Sequence, residues 1–169
     1  MNETPLILAL TKFLWLGAVY LVGLGVGVLA HELGHAALAT LLTRQRVLLQ
    51  VGQGPRFFRG RLGRLEFRLS ARGYRFGFTR YVRETESRWR QTFVAAAGPA
   101  ASLLACAVLA WATVNAVVGG WDWIAYLGLF VSNFRILIVA LWPIAYRPSP
   151  QSEEVWLSDS LDIWRMWRR

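Results

Sequence analysis

The chain has 169 residues, enough for one domain, and carries 55% hydrophobic residues and a mean hydropathy of +0.35. That balance is beyond an ordinary soluble domain and points to a polytopic membrane protein. A single cysteine, Cys106, excludes an intrachain disulfide. The net charge of +9 comes almost wholly from arginine and admits nucleic acid, anionic lipid or cytoplasmic loops as partners, so its distribution decides.

Leu6 to Leu42 is one long apolar stretch, broken by Lys12 and by His31-Glu32-Leu33-Gly34-His35. The first thirty residues do not read as a signal peptide, because the start lacks basic residues and the apolar run is too long. We expect a first span over about 13–43. Gly23 and Gly27 form a small-xxx-small pair suited to close helix contact in a bilayer. His31 and His35, the only histidines, fall on one helix face, where two imidazoles can grip one zinc ion. Glu32 stands beside the first of them, placed to activate a zinc-bound water as general base. An ionisable triplet inside a membrane span is costly and points to function. Its depth depends on the boundary. With the helix leaving lipid near Arg44 the metal lies within the bilayer, whereas with Lys12 at the outer boundary it approaches the inner interface.

Residues 44–90 carry thirteen Arg and three Glu, and such a loop is expected to stay cytoplasmic. Arg46–Val51 and Leu62–Leu69, punctuated by glycines, predict two to four short strands in a small sheet on the membrane surface. The arginines read as orientation signals and contacts to anionic headgroups, and nucleic acid has little else in its support.

A second span is expected over about 91–118, with the small-residue patch Ala97-Gly98-Pro99 near its start, and a third over about 121–144 between aromatic anchors. Arg135 falls inside the third span and either snorkels to the inner face or pairs with a carboxylate near the site. Residues 145–169 make a polar linker and a short C-terminal helix capped by Ser158 or Asp159. The fold expected is therefore mainly α: three transmembrane helices, a small β-rich cytoplasmic loop region and a short C-terminal helix, as one membrane-embedded unit over 1–169. The N-terminus would lie outside and the C-terminus in the cytoplasm.

Zinc needs a third ligand. Glu66, Glu84 and Glu86 lie in the loop, and Glu153, Glu154, Asp159 and Asp162 on the C-terminal segment. Position along the chain leaves Asp159 and Asp162 equally placed.

Three features together resemble the site-2 protease family of intramembrane zinc metalloproteases (M50-type peptidases). They are His31–His35 in an apolar helix; the Val51-Gly52-Gln53-Gly54-Pro55 loop with the strand-like Leu65–Leu69; and Ala97-Gly98-Pro99, followed by a helix ending near Pro143 and a late aspartate. The resemblance covers most of the chain. It implies zinc held by His31, His35 and Asp159, with Glu32 catalytic, and cleavage of a peptide bond within or next to the membrane helix of a substrate protein. It implies residence in the cell membrane, and the compact core is similar to bacterial members. The chain departs from the family pattern at Ala140-Leu141-Trp142-Pro143, which lacks the usual asparagine. It departs again at Ser158-Asp159-Ser160, where serine replaces glycine, and at Ser102, where another polar residue is usual. These departures support an alternative reading: a catalytically impaired relative that binds partners through the arginine-rich loop. An edge strand within 46–70 is the expected place for an extended substrate to add as a further strand.

Overall fold

The computed structural model describes residues 5–83, 85–147 and 155–168. Glu84, Glu153 and Glu154, named above as possible ligands, lie outside the described residues. The architecture is mainly helical. Helices α1 (Pro5–Leu42), α2 (Arg88–Asn115) and α3 (Trp121–Leu141) are each long and apolar enough to cross a membrane. Strands β1 (Val47–Leu62) and β2 (Leu65–Arg80) form a small sheet. The pair β3 (Ala145–Tyr146) and β4 (Trp156–Leu157) leads into the short helix α4 (Asp159–Arg168).

The boundaries differ from those expected. The first helix begins at Pro5 rather than near residue 13, and the second and third end at Asn115 and Leu141 rather than 118 and 144. Proline suits a helix start, since its missing N–H has no partner there. At the other ends, Gly119 adopts φ 77°, a turn conformation open to glycine, and Pro143 cannot continue α3.

Glycine sets how closely the helices approach. A Cβ at Gly23 would collide with Ser132, and one at Gly27 would lie 2.6 Å from Ile136. A Cβ at Gly128, one turn earlier on α3, would meet Val19 at 3.1 Å. The same offset holds at all three contacts, so α1 and α3 run side by side in constant register. The small-xxx-small face expected on α1 is this contact. At the far end Lys12 Nζ donates to the Gly119 carbonyl (2.8 Å), tying α1 to the α2–α3 turn. Carried the other way, the register sets His31 level with Ala140, at the last turn of α3.

The two strands are each bent and serve in two ladders. Leu62 pairs with Leu65 and Phe58 with Leu69 in a hairpin; Leu49 pairs with Phe67 and Val51 with Leu69 in parallel; Leu48 pairs with Arg80 and Val51 with Gly77 on the remaining side. The segments therefore lie in the order 56–62, 65–70, 47–51, 77–80. Positive φ at Gly52, Gly54 and Gly73 supplies the bends. The strands are longer than the patches at 46–51 and 62–69 suggested, because these bends break the alternation that marks a strand.

The core lies where the sheet covers the second half of α1. Val47, Leu49, Val51 and Leu65 pack on Val28, Ala36 and Ala39, joined by Val94 and Ile136. Arg64 closes the end of α1 by donating to the Thr43 carbonyl (2.5 Å) and the Thr40 carbonyl (2.8 Å). A cation against the last carbonyls of a helix is favourable, so this arginine is a helix cap and not only a surface charge. Elsewhere the three helices expose Phe13, Leu14, Leu103, Leu104 and Val117, as a lipid-facing surface requires.

Candidate metal centre

The centre is built where α1, α2, α4 and the edge of the sheet meet. His31 and His35 are buried one turn apart on α1. Each imidazole is oriented by its Nδ1. His35 Nδ1 donates to the Val94 carbonyl (2.7 Å), and His31 Nδ1 lies 2.9 Å from Ser102 Oγ. Both Nε2 atoms are thereby left to face a common point. Ser102, the polar residue after Gly98-Pro99 that differs from the family pattern, holds one of the two histidines.

Small residues make room for this. A Cβ at Gly98 would overlap the His35 imidazole, and one at Gly34 would overlap the Ala97 carbonyl. The Ala97-Gly98-Pro99 patch is thus the surface on which α1 and its histidines lie.

The structure brings Asp159, and not Asp162, to the histidines. Asp159 Oδ2 is 3.1 Å from His31 Nε2, and Oδ1 is 3.3 Å from His35 Nε2. Ser158 explains why Asp159 is available. Its Oγ accepts from Leu161 N (3.4 Å) as the helix cap and from Ile144 N (3.1 Å), while its own N–H donates to the Ile144 carbonyl (2.9 Å). With the cap supplied by Ser158, the carboxylate of Asp159 points away from its helix. Burial works to raise the Asp159 carboxyl, but hydrogen bonds from His31 and His35 outweigh it and hold it down at about 2. Asp162, one turn on, is taken by Arg83 at 2.5 Å. Burial would lower the Arg83 guanidinium, and the Asp162 charge overrides this and holds it raised.

The donor set fits zinc. His31, His35 and Asp159 can each direct one ligand atom to a shared point, and the two Nε2 atoms are 3.2 Å apart. With metal–ligand bonds of about 2.0–2.2 Å, the edge of a tetrahedron is roughly 3.3–3.6 Å. The two Nε2 atoms, 3.2 Å apart, come close to that edge, and the Asp159 carboxylate spans the pair, with Oδ2 3.1 Å from His31 and Oδ1 3.3 Å from His35. Two imidazoles and one carboxylate leave one position of a four-coordinate site for solvent or substrate.

Glu32 is buried beside this cluster. Thr79 Oγ1 donates to its Oε2 (2.8 Å) and lies 3.2 Å from its backbone carbonyl. Gly77 lets the strand edge approach, since a Cβ there would lie 2.6 Å from Glu32 Cγ. Thr79 and Gly77 were missed by sequence reasoning. They lie forty-odd positions from the motif, in a stretch where no local pattern marks them. The edge segment near the site is 77–80, and the edge that lies within 46–70, segment 56–62, is at the opposite side of the sheet. Its outer side borders a cavity of about 730 Å³, with His31, Glu32, His35 and Asp159 on the wall.

A family model for peptidase family M50 matches residues 19–157. The chain belongs to that family. The matched segment contains both histidines, Glu32, the sheet, α2 and α3, and it ends two residues before Asp159. A search of curated proteins found no match. Family membership carries metalloprotease activity as the family property, and the three apolar helices agree with a membrane protein.

Proposed function

We propose that this M50 peptidase is an intramembrane zinc metalloprotease that cleaves a peptide bond within or next to the membrane helix of a substrate protein. The observation that carries the reading is the trio of His31, His35 and Asp159, able to direct one ligand atom each to a shared point, with buried Glu32 alongside.

His31, His35 and Asp159 would hold the zinc, which when bound supplies Lewis acidity and lowers the pKa of water towards neutral pH. Glu32 acts as the general base. It takes a proton from the attacking water and returns it to the leaving amine. Thr79 holds the Glu32 carboxylate in one orientation, and Ser102 and the Val94 carbonyl hold the imidazoles. A helical substrate must unwind first, since its scissile carbonyl is otherwise hydrogen-bonded. The outer side of segment 77–80 supports this step, because its peptide groups border the cavity and suit an added strand.

The register of the helices supports a depth for the site. From Lys12 to His31 a helix rises about 29 Å at 1.5 Å per residue, close to the bilayer core of about 30 Å. With Lys12 and the Gly119 turn at the outer boundary, the site lies at the inner one. The arginine-rich loop then faces the cytoplasm and the anionic headgroups, the N-terminus lies outside and the C-terminus inside.

The test is cleavage of a single-span substrate by purified protein in vesicles. Wild type cleaves, and Glu32→Gln loses at least a thousandfold in rate while keeping one zinc per chain. Equal cleavage by both would remove Glu32 from the role.

A further inference from the structure

Among the described residues the wall of the cavity holds three carboxylates, and each is already engaged. Glu32 accepts from Thr79, Asp159 meets the histidines, and Asp162 pairs with Arg83. Two guanidiniums on the same wall, Arg75 and Arg135, have no ion pair or hydrogen bond among the described residues. Arg135 sits within α3, between buried Ser132 and Asn133 and buried Ile136. Among the described residues neither a carboxylate nor another polar side chain has taken it. A charge kept inside an apolar helix and bordering an active-site cavity points to a substrate group.

The two arginines lie at one level of the cavity. Side chains alternate along a strand, so Arg75 shares a face with Gly77 and Thr79, the face turned to Glu32. Next to Arg75, Tyr74 packs at Gly25 of α1 (3.1 Å), and on α3, next to Arg135, Ile136 packs at Gly27 (2.6 Å). Gly25 and Gly27 are about 6–9 Å along the helix from His31, towards its N-terminal end. An extended peptide advances roughly 3.3 Å per residue. A side chain reaching the two arginines would therefore belong to a residue two or three positions from one bonded at the metal centre.

We propose that this cavity selects substrates bearing an aspartate or glutamate two or three residues from the scissile bond, on the side towards the N-terminal half of α1, and that Arg75 and Arg135 read it. The proposal rests on the protease reading and adds a substrate class to it. Both arginines are exposed to the cavity side, and pairing with a guanidinium would offset the cost of bringing that carboxylate into the apolar region.

The experiment separates recognition from turnover. Glu32→Gln protein in neutral phosphatidylcholine vesicles is titrated with single-span peptides carrying Glu, Gln or Lys at positions scanned along the helix. We expect one window of two or three positions in which Glu binds at least tenfold more tightly than Lys. Adding Arg135→Glu or Arg75→Glu should reverse that order, and the gain of Lys binding certifies that the variants are folded. Equal binding of Glu and Lys peptides throughout would overturn the proposal, as would an order that survives Arg135→Glu. A charge effect confined to phosphatidylglycerol vesicles and equal for all peptides would also overturn it, assigning the arginines to lipid. Cleavage by the wild type is scored separately. Charge-reversible binding without any cleavage sinks the protease reading and keeps the recognition, and cleavage without charge preference does the reverse.

Discussion

Asp159 differs from Asp162 by what its neighbours do. Ser158 takes the cap and Arg83 takes Asp162, so one carboxylate is left for the histidines. Asp159→Ala should lose stoichiometric zinc, measured by mass spectrometry of the purified protein, and Asp162→Ala should retain it. The reverse pattern would move the ligand. Gly98→Ala should also lose zinc, because the added methyl occupies the space of the His35 ring. Thr79→Val removes a hydrogen bond to a buried carboxylate, and such bonds contribute about 1.5–3 kcal/mol. It should lower kcat roughly tenfold or more with KM little changed, and an unchanged kcat would assign Thr79 a packing role alone. His31, Glu32 and His35 were legible in the sequence, because helical spacing alone brings them together. Position along the chain did not separate Asp159 from Asp162, and only the family resemblance favoured Asp159, since Asp162 is taken by Arg83, seventy-nine positions away.

Among the helices, α4 is the shortest and carries Asp159, the proposed third metal ligand. None of its described side chains is buried. It is fastened at its start by the Ser158–Ile144 clasp, at mid-length by Arg83–Asp162, and at its end by Trp167. Trp167 Nε1 donates to Thr92 Oγ1 (3.0 Å), and its ring lies 4.7 Å edge-on from that of Trp89. The Arg83–Asp162 pair is partly exposed, and such pairs contribute at most about 1 kcal/mol. Arg83→Ala should therefore weaken zinc binding about fivefold, read by competition with a chelating dye, without removing the site. A loss as complete as that of Asp159→Ala would mean that α4 detaches. The presence of α4 was legible from its apolar spacing and its cap. The extent of the strands was not. A bend at a positive-φ glycine lets one strand enter two ladders and shifts which faces are covered, and the alternation that marks a strand is then lost.

At the scale of the molecule, three helices in fixed register set the centre level with the last turn of α3. The three helices long and apolar enough to cross a membrane were legible from apolar length. The depth of the site was not, because the first apolar stretch exceeds one crossing, and the placement proposed for it draws on the Lys12–Gly119 contact and the glycine register, which no local pattern reveals. Cys106 is buried, so background labelling of the chain is low. A cysteine introduced at Arg61 should react with a membrane-impermeant maleimide only from the cytoplasmic side, and one at Val118 only from outside. The opposite result would invert the topology. The claim on which the rest depends is the ligand set. X-ray absorption at the zinc edge of the purified protein tests it most directly. Two imidazole nitrogens and a carboxylate oxygen at about 2.0–2.2 Å, with one oxygen lost in Asp159→Ala, are the predicted result. A folded protein that binds no zinc, or a coordination shell unchanged in Asp159→Ala, would contradict it.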